Sequence, residues 1–227
     1  MPREYLPEGG PDFCIEEDGS RVWIEAVTIN TGTGRDSVAP MKYEPEGPAH
    51  PVPNDQIVLR YCSAIRDKHC NHLRHLSKGL VQANEPFIIA INGVGIPIEY
   101  WAAMPDIPFA IQSVLPLGQY SITFDTSTKK VIREGPEHRT NILKLSGSVV
   151  PTNVFMDCTF SLISGLIFSD IHPFYCKNAR LSSLSLLHNC EPLHALKEGW
   201  LKSGIEWRLK KEQDNYILEP RRIIPAA

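Results

Sequence analysis

The sequence predicts an α/β protein with a mixed central sheet, flanking helices and a β-rich C-terminal extension. Three stretches lead to this prediction. Residues 12–29 have the pattern of a β-hairpin, residues 55–77 that of an amphipathic helix, and residues 86–92 form an apolar run typical of a buried strand. Because all three fall in the first half of the chain, we assign residues 1–115 to an α/β core and residues 116–227 to the extension.

The hairpin is predicted to turn at Asp18-Gly19, a dipeptide that suits a two-residue turn with positive φ angles. Such a turn fixes the register, so residues whose numbers sum to 37 face each other. Side chains alternate between the two faces of a strand, so the apolar members of both strands share one face, which we predict to be buried. These residues are Phe13, Ile15, Val22, Ile24 and Ala26.

Asp12 and Glu25 face each other at the open end of this hairpin, on the opposite face. Two carboxylates whose Cβ atoms are about 5 Å apart destabilise a sheet unless something neutralises them. A hard divalent cation can do so, because Mg²⁺ takes one or two protein carboxylates, keeps several waters and binds phosphate oxygens. The alternative is that Asp12 begins the strand in solvent and Glu25 is a surface residue.

Pro11-Asp12, followed about a dozen residues later by Glu25-Ala26-Val27, resembles the signature of the PD-(D/E)XK (restriction-endonuclease-like) nuclease superfamily. That signature has an aspartate on one strand and an acidic residue, any residue and a lysine on the next. The resemblance implies a restriction-endonuclease-like core, with Asp12 and Glu25 as catalytic residues that bind Mg²⁺ or Mn²⁺. It also implies hydrolysis of nucleic-acid phosphodiesters. The sequence departs from the family at the lysine place, which holds Val27.

The helix predicted at residues 55–77 carries a cation that could replace the missing lysine. We expect Asn54 to cap this helix and Gly79 to end it. Some members of the superfamily supply the lysine from the helix that follows, so the resemblance implies Lys68 as catalytic, with Nζ within about 6 Å of a carboxylate. Arg60 lies two turns earlier near the same face and is expected to hold a substrate phosphate. The alternative is a solvated basic face, and a partly exposed Lys68 should contribute little to stability.

Residues 86–92 (PFIIAIN) are predicted to form an interior strand, because a continuous apolar run suits a strand that is buried on both faces. Asn92 lies at its carboxyl end, where ligands approach open α/β sheets, which makes it a candidate substrate-binding residue. The alternative role for Asn92 is to cap the following loop.

Further along the chain the pattern is less regular. We expect one or two short helices at residues 98–115, a hairpin at 120–134 and buried strands at 153–168 and 181–188. The C-terminal stretch is predicted to be a basic and aromatic tail that packs on the body or contacts nucleic acid. Its marker residues are Trp200, Trp207, Arg208, Lys210 and Lys211.

The histidines and cysteines of the predicted helix suggest two other chemistries. The group comprises Cys62, His69, Cys70, His72 and His75. Structural zinc needs four ligands, commonly from a loop-rich knuckle, and no second cluster lies nearby in sequence. A cysteine–histidine hydrolase is conceivable, yet the interior of an ordinary helix is a poor place for an activated thiolate.

Composition limits the partners and the compartment. The net charge of −3 over 227 residues argues against indiscriminate coating of nucleic acid but allows a local basic groove. Six scattered cysteines, with no leader and no long apolar run, predict a cytoplasmic protein with free thiols and no membrane association. The expected partner is DNA or RNA.

Two questions stay open at this point. The ten residues before Asp12 are too few for the helix and first strand that precede the aspartate strand in this superfamily, so either the chain is a fragment of a longer protein or a later strand fills that place. A homodimer or a larger parent chain is compatible with this. Because Val27 stands in the lysine place, the alternative to a nuclease is an inactive binding or scaffold module with the same fold.

Overall fold

The computed structural model describes residues 8–17, 19–40, 52–97, 107–169, 184–212 and 215–224. Within these ranges the protein is a mixed α/β structure built on a large sheet. In chain order the elements are β1 (Phe13–Glu17), β2 (Ser20–Asn30), α1 (Asn54–Ser77), β3 (Phe87–Gly95), α2 (Phe109–Gln112), β4 (Leu117–Phe124), β5 (Val131–His138), β6 (Asn141–Leu143), β7 (Val149–Pro151), β8 (Gly165–Ser169), β9 (Ser185–His188), β10 (Gly204–Glu212) and β11 (Asn215–Ile223).

Seven of the described strands form one sheet in the order β1-β2-β3-β8-β9-β10-β11. The central strands β2, β3 and β8 are parallel to one another, as are β9 and β10, whereas β1, β9 and β11 pair antiparallel with β2, β8 and β10. The predicted mixed sheet is therefore confirmed. Strands from both sides of residue 115 belong to this sheet, so the C-terminal part of the chain completes it.

The hairpin has the predicted register, from Phe13 opposite Ile24 to Glu17 opposite Ser20. Gly19 has a φ of 75°, as the turn requires, and Asp18 lies outside the described residues. The predicted buried face is correct for Val22 and Ile24 of β2 but wrong for Ala26, which is exposed, and for β1, where Phe13 and Ile15 are 55% and 41% exposed. The reason is position, because β1 is an edge strand whereas β2 lies inside the sheet between β1 and β3.

Helix α1 spans Asn54–Ser77, which confirms the predicted helix. The predicted cap is wrong: the N-cap is Pro53, without a side-chain hydrogen bond, and its carbonyl accepts from the amide of Ile57. The chain leaves the helix at Gly79, whose φ of 67° suits glycine, and the amide of Leu80 bonds back to the carbonyl of His75. Among the described residues no helix combines the length and apolarity needed to cross a bilayer.

The sheet is buried on both faces near its centre. We call the face that α1 covers the α1 face; there Trp23, Phe87 and Ile89 pack in one cluster with apolar residues of the helix. On the opposite face Ile24 and Ile88 pack in a second, smaller cluster with leucines of residues 186–201. Phe87, Ile88, Ile89 and Ile91 of β3 are buried, and β3 lies between β2 and β8, which confirms PFIIAIN as an interior strand.

The later elements agree only partly with the sequence. The β4–β5 hairpin is confirmed, and α2 falls inside the expected helical stretch, of which residues 98–106 lie outside the described ranges. The strand expected at 153–168 is wrong for most of its length, because β8 begins only at Gly165. Residues 185–188 form β9, and residues 181–183 are not described.

Candidate functional site

Asp12, Glu25 and Lys68 come together beneath helix α1. Lys68 Nζ lies 2.7 Å from Glu25 Oε2 and 3.6 Å from Asp12 Oδ2, so the prediction that it lies close to an oxygen of Asp12 or Glu25 is confirmed. The two carboxylate oxygens can be no farther apart than the sum of these distances. Three residues from a strand end, a neighbouring strand and a helix therefore form one charged cluster.

Asp12 forms the open side of this cluster. It directly precedes β1, one position beyond the Phe13–Ile24 pair, and its Oδ2 accepts a hydrogen bond of 2.8 Å from the backbone amide of Ala26. This bond fixes the carboxylate beside the Glu25 segment of β2. The side chain of Asp12 is nevertheless 48% exposed, so solvent reaches the cluster from this side.

Glu25 forms the closed side, with a side chain only 4% exposed. Its Oε2 faces the ammonium of Lys68, and its Oε1 lies 3.2 Å from Nδ1 of His75. The imidazole approach is close but is not aligned as a hydrogen bond. Taking a carboxylate out of water costs several kcal/mol unless it is paired, so these two contacts explain how Glu25 is tolerated inside the sheet.

Val27 packs against the cluster of apolar residues on the α1 face. Strand alternation puts Val27 on the same face as Glu25, in the place where the family signature has lysine. The ammonium that contacts the two acids therefore comes from α1. The helix can deliver it because α1 crosses β2 with its buried stripe against the sheet.

Arg60 contacts the loop after β2 and not the carboxylates. Its Nε donates to the carbonyl of Asn30 at 2.9 Å, and its Nη2 donates to Asn30 Oδ1 at 3.3 Å. Gly32 lies against the guanidinium so closely that an added Cβ would be 2.8 Å from it. Eight residues of helix separate Arg60 from Lys68 by about 12 Å along the axis. The structure therefore places Arg60 as an anchor of this loop, and its role toward phosphate stays a prediction.

Asn92 does not join the cluster either. Alternation along β3 places it with Ile88 and Ala90, on the sheet face opposite α1. Its Oδ1 accepts from the amide of Val94 at 2.8 Å, and because β3 continues to Gly95 this bond lies within the strand and does not cap a loop. It also lines a cleft of about 340 Å³ on that opposite face. A substrate contact by Asn92 would require a binding surface separate from the carboxylates.

His75 is the residue of the cluster that the sequence reasoning missed. The sequence suggests His75 only as one of the helix histidines that could bind zinc or assist a catalytic cysteine. The spacing of Lys68, His72 and His75 carried the signal, because residues at i, i+4 and i+7 share one stripe of a helix. If Lys68 lies on the sheet side of α1, the helical period places His75, two turns later, on the same side.

His69, His72 and Cys62 have packing roles, whereas Cys70 is exposed. His72 stacks on Phe87 with ring centroids 3.9 Å apart, and His69 lies against Phe160. Burial raises the pKa of the Cys62 thiol to about 12, and its Sγ donates to the carbonyl of Ser113. A thiol with that pKa forms almost no thiolate at neutral pH, which argues against cysteine catalysis at this position.

The donor set suits a hard cation better than zinc. Among the described residues no group of three or more His, Cys, Asp or Glu side chains is placed to hold a metal. Asp12 and Glu25 provide two carboxylates near a solvent-exposed side, and Mg²⁺ or Mn²⁺ needs no more protein ligands than these when water completes the shell. In the described structure the ammonium of Lys68 contacts both carboxylates, so an ion would have to share them with it.

A larger cleft, of about 620 Å³, lies near the hairpin turn and is lined by residues that include Arg21, Glu85, His194 and Trp200. None of Asp12, Glu25 and Lys68 lines it. The cleft and the charged cluster therefore lie at different places on this protein. We take the charged cluster as the candidate site, because buried, converging ionisable groups are the stronger indication of chemistry.

Comparison with protein family models, curated proteins and solved structures finds no match to this chain.

Proposed function

We propose that this protein is a metal-dependent phosphodiester hydrolase that acts on nucleic acid and has a restriction-endonuclease-like core. One observation carries the proposal: Lys68 Nζ lies 3.6 Å from an oxygen of Asp12 and 2.7 Å from an oxygen of Glu25. These are the residue types of the family signature, with the lysine supplied from a helix. The resemblance named this lysine from sequence, and contact with both acids is the arrangement such a role requires.

The proposed roles follow from the environment of each side chain. Asp12 and Glu25 would hold Mg²⁺ or Mn²⁺, a bound ion of this kind supplying charge that polarises the scissile phosphate and lowers the pKa of a water. Lys68 would orient the attacking water and offset negative charge, since its ammonium already lies beside both acids. Asp12 would face the substrate, because it is the exposed member of the cluster.

A metal titration tests the first step of this proposal. With Mn²⁺ at a hundredfold excess over its Kd, the melting temperature of the wild-type protein should rise by roughly 5–10 °C. Asp12→Asn should remove most of this rise because it removes one of the two carboxylates. Asp67→Asn is the matched control, since Asp67 is an exposed acid on α1 next to Lys68 and makes the same chemical change. An equal rise in both variants would contradict the site.

Cleavage assays test the second step. Double-stranded DNA, single-stranded DNA and RNA should be incubated separately with Mg²⁺ or Mn²⁺ and with a chelator. We expect metal-dependent cleavage of at least one of them, lost in Glu25→Gln and kept in Asp67→Asn. No cleavage of any substrate by a protein that responds to Mn²⁺ would restrict the proposal to metal binding.

A second candidate function is an inactive binding or scaffold module with the same fold. It is supported by the closed environment of Glu25, whose two oxygens already face Lys68 and His75, and by Val27 in the lysine place. In that case the cluster is a structural ion pair. Mn²⁺ would then leave the melting temperature unchanged, although nucleic acid could still bind.

A further inference from the structure

We infer that His75 is a positioning residue that faces one oxygen of Glu25 and so fixes the carboxylate with its other oxygen presented to a divalent cation shared with Asp12. This inference rests on the proposed function, because it concerns the metal site of that reaction. His75 lies in the last turn of α1, and its side chain is 11% exposed. It comes from the same helix stripe as Lys68, two turns later.

The two contacts of Glu25 divide its oxygens between different neighbours. Oε1 lies 3.2 Å from Nδ1 of His75, whereas Oε2 lies 2.7 Å from Lys68, which also contacts Asp12. Oε2 therefore shares the ammonium of Lys68 with Asp12. Rotation of the Glu25 carboxylate about its Cγ–Cδ bond would break the contact with His75 or the contact with Lys68. Because Glu25 is buried, water does not replace the lost contact.

Among the described residues, no contact other than the one with Glu25 explains where the His75 imidazole lies. Nδ1 of His75 is buried without an aligned hydrogen bond, which costs about 1–3 kcal/mol for a group of this kind. Contacts at catalytic sites are often loose in the unliganded protein and tighten when the ligand binds. His72, one turn earlier, stacks on Phe87 and has its packing role there. His75 instead faces the carboxylate, as the outer groups that orient metal ligands do.

The test compares Mn²⁺ affinity in two variants of the full chain by isothermal calorimetry. His75→Leu removes the ring nitrogen and keeps an apolar filling, so Mn²⁺ binding should weaken by about 10- to 100-fold. His75→Asn should recover most of that loss, because its amide nitrogen is attached at the same carbon as Nδ1. His69→Leu is the control: it removes an α1 histidine that packs on Phe160, and it should leave Mn²⁺ affinity unchanged.

Thermal unfolding without metal shows whether each variant is folded. If His75→Leu is unfolded, the test rests on the Mn²⁺ affinity of His75→Asn. Weak Mn²⁺ binding by His75→Leu, together with recovered binding by His75→Asn, supports the positioning role. If the wild type binds Mn²⁺ and both His75 variants bind it equally well, the positioning role is overturned and the proposed function stands. If the folded Asn variant loses affinity as far as the Leu variant, a nitrogen at this place is insufficient and the inference fails. No Mn²⁺ binding by the wild type overturns both.

Discussion

The ion pair of Lys68 with Glu25 should contribute much more to stability than an exposed lysine does. The sequence led us to expect that Lys68 is dispensable for the fold, but its side chain is 17% exposed and that of Glu25 is 4% exposed. At 2.7 Å and an effective dielectric constant of about 20, the Coulomb attraction is about 6 kcal/mol, part of which desolvation offsets. Lys68→Met leaves Glu25 buried beside His75 alone, so we expect a loss of about 3–5 kcal/mol.

A double-mutant cycle isolates this pair. Urea unfolding at neutral pH, without metal, should be measured for Lys68→Met, Glu25→Gln and the double variant. We expect the double variant to lose about 2–3 kcal/mol less than the sum of the two single losses, because removing both charges leaves neither one buried and unpaired. Asp12→Asn is the internal control. Asp12 is half exposed and 3.6 Å from the same ammonium, so its loss should be below about 1 kcal/mol.

Two results would refute this reasoning. A loss below about 1 kcal/mol for Lys68→Met would mean that solvent screens the contact as it does at the surface. Additive losses in the cycle would mean that Lys68 and Glu25 act independently.

The remaining predictions concern groups around the site. Burial, and then the nearby His69 and His75, lowers the pKa of His72 from its usual 6.5 to about 4. As the pH falls, His72 is therefore protonated in the unfolded chain before it is protonated in the folded protein. The free energy of unfolding should fall by up to about 1.4 kcal/mol per pH unit between pH 6.5 and 4 and should level off below pH 4. Urea midpoints should show this, and His72→Phe should flatten the profile; an equal slope in that variant would exclude His72 as the cause. Iodoacetamide should label the exposed Cys70 well before Cys62, whose pKa is about 12, as followed by mass spectrometry; equal labelling rates would show that α1 opens. Arg60→Met should lower the melting temperature by about 2–4 °C through loss of its bonds to Asn30 and leave the Mn²⁺ response intact. If Arg60→Met abolished the rise in melting temperature with Mn²⁺, Arg60 would have to belong to the metal site.

The sequence by itself determined the elements whose signals are local. The Asp18-Gly19 turn fixed the hairpin register, because a two-residue turn leaves one pairing. The period of apolar residues gave α1, and the uninterrupted run of PFIIAIN gave an interior strand. Those three elements, with the family resemblance, were enough to bring Asp12, Glu25 and Lys68 into one cluster.

The tertiary structure decided what each strand and side chain faces. Phe13 and Ile15 alternate correctly for a buried face, yet they are exposed because β1 is at the edge of the sheet. Asn92 lies on an interior strand, but that strand continues to Gly95, and alternation along it places the Asn92 side chain on the face opposite α1. Neither the place of a strand within a sheet nor the face that a helix will cover is encoded in the local pattern.

The C-terminal part shows the same limit more strongly. Residues 204–212 and 215–223 were expected to be a basic aromatic tail, but they form β10 and β11, with Trp207 partly buried against the main core cluster. Charged side chains alternate with apolar ones there, and strand pairing turns that mixture into two faces. The burial of Glu25 was also decided at this level. A carboxylate on a strand is an ordinary surface residue until a helix from elsewhere in the chain places Lys68 and His75 over it and removes the water.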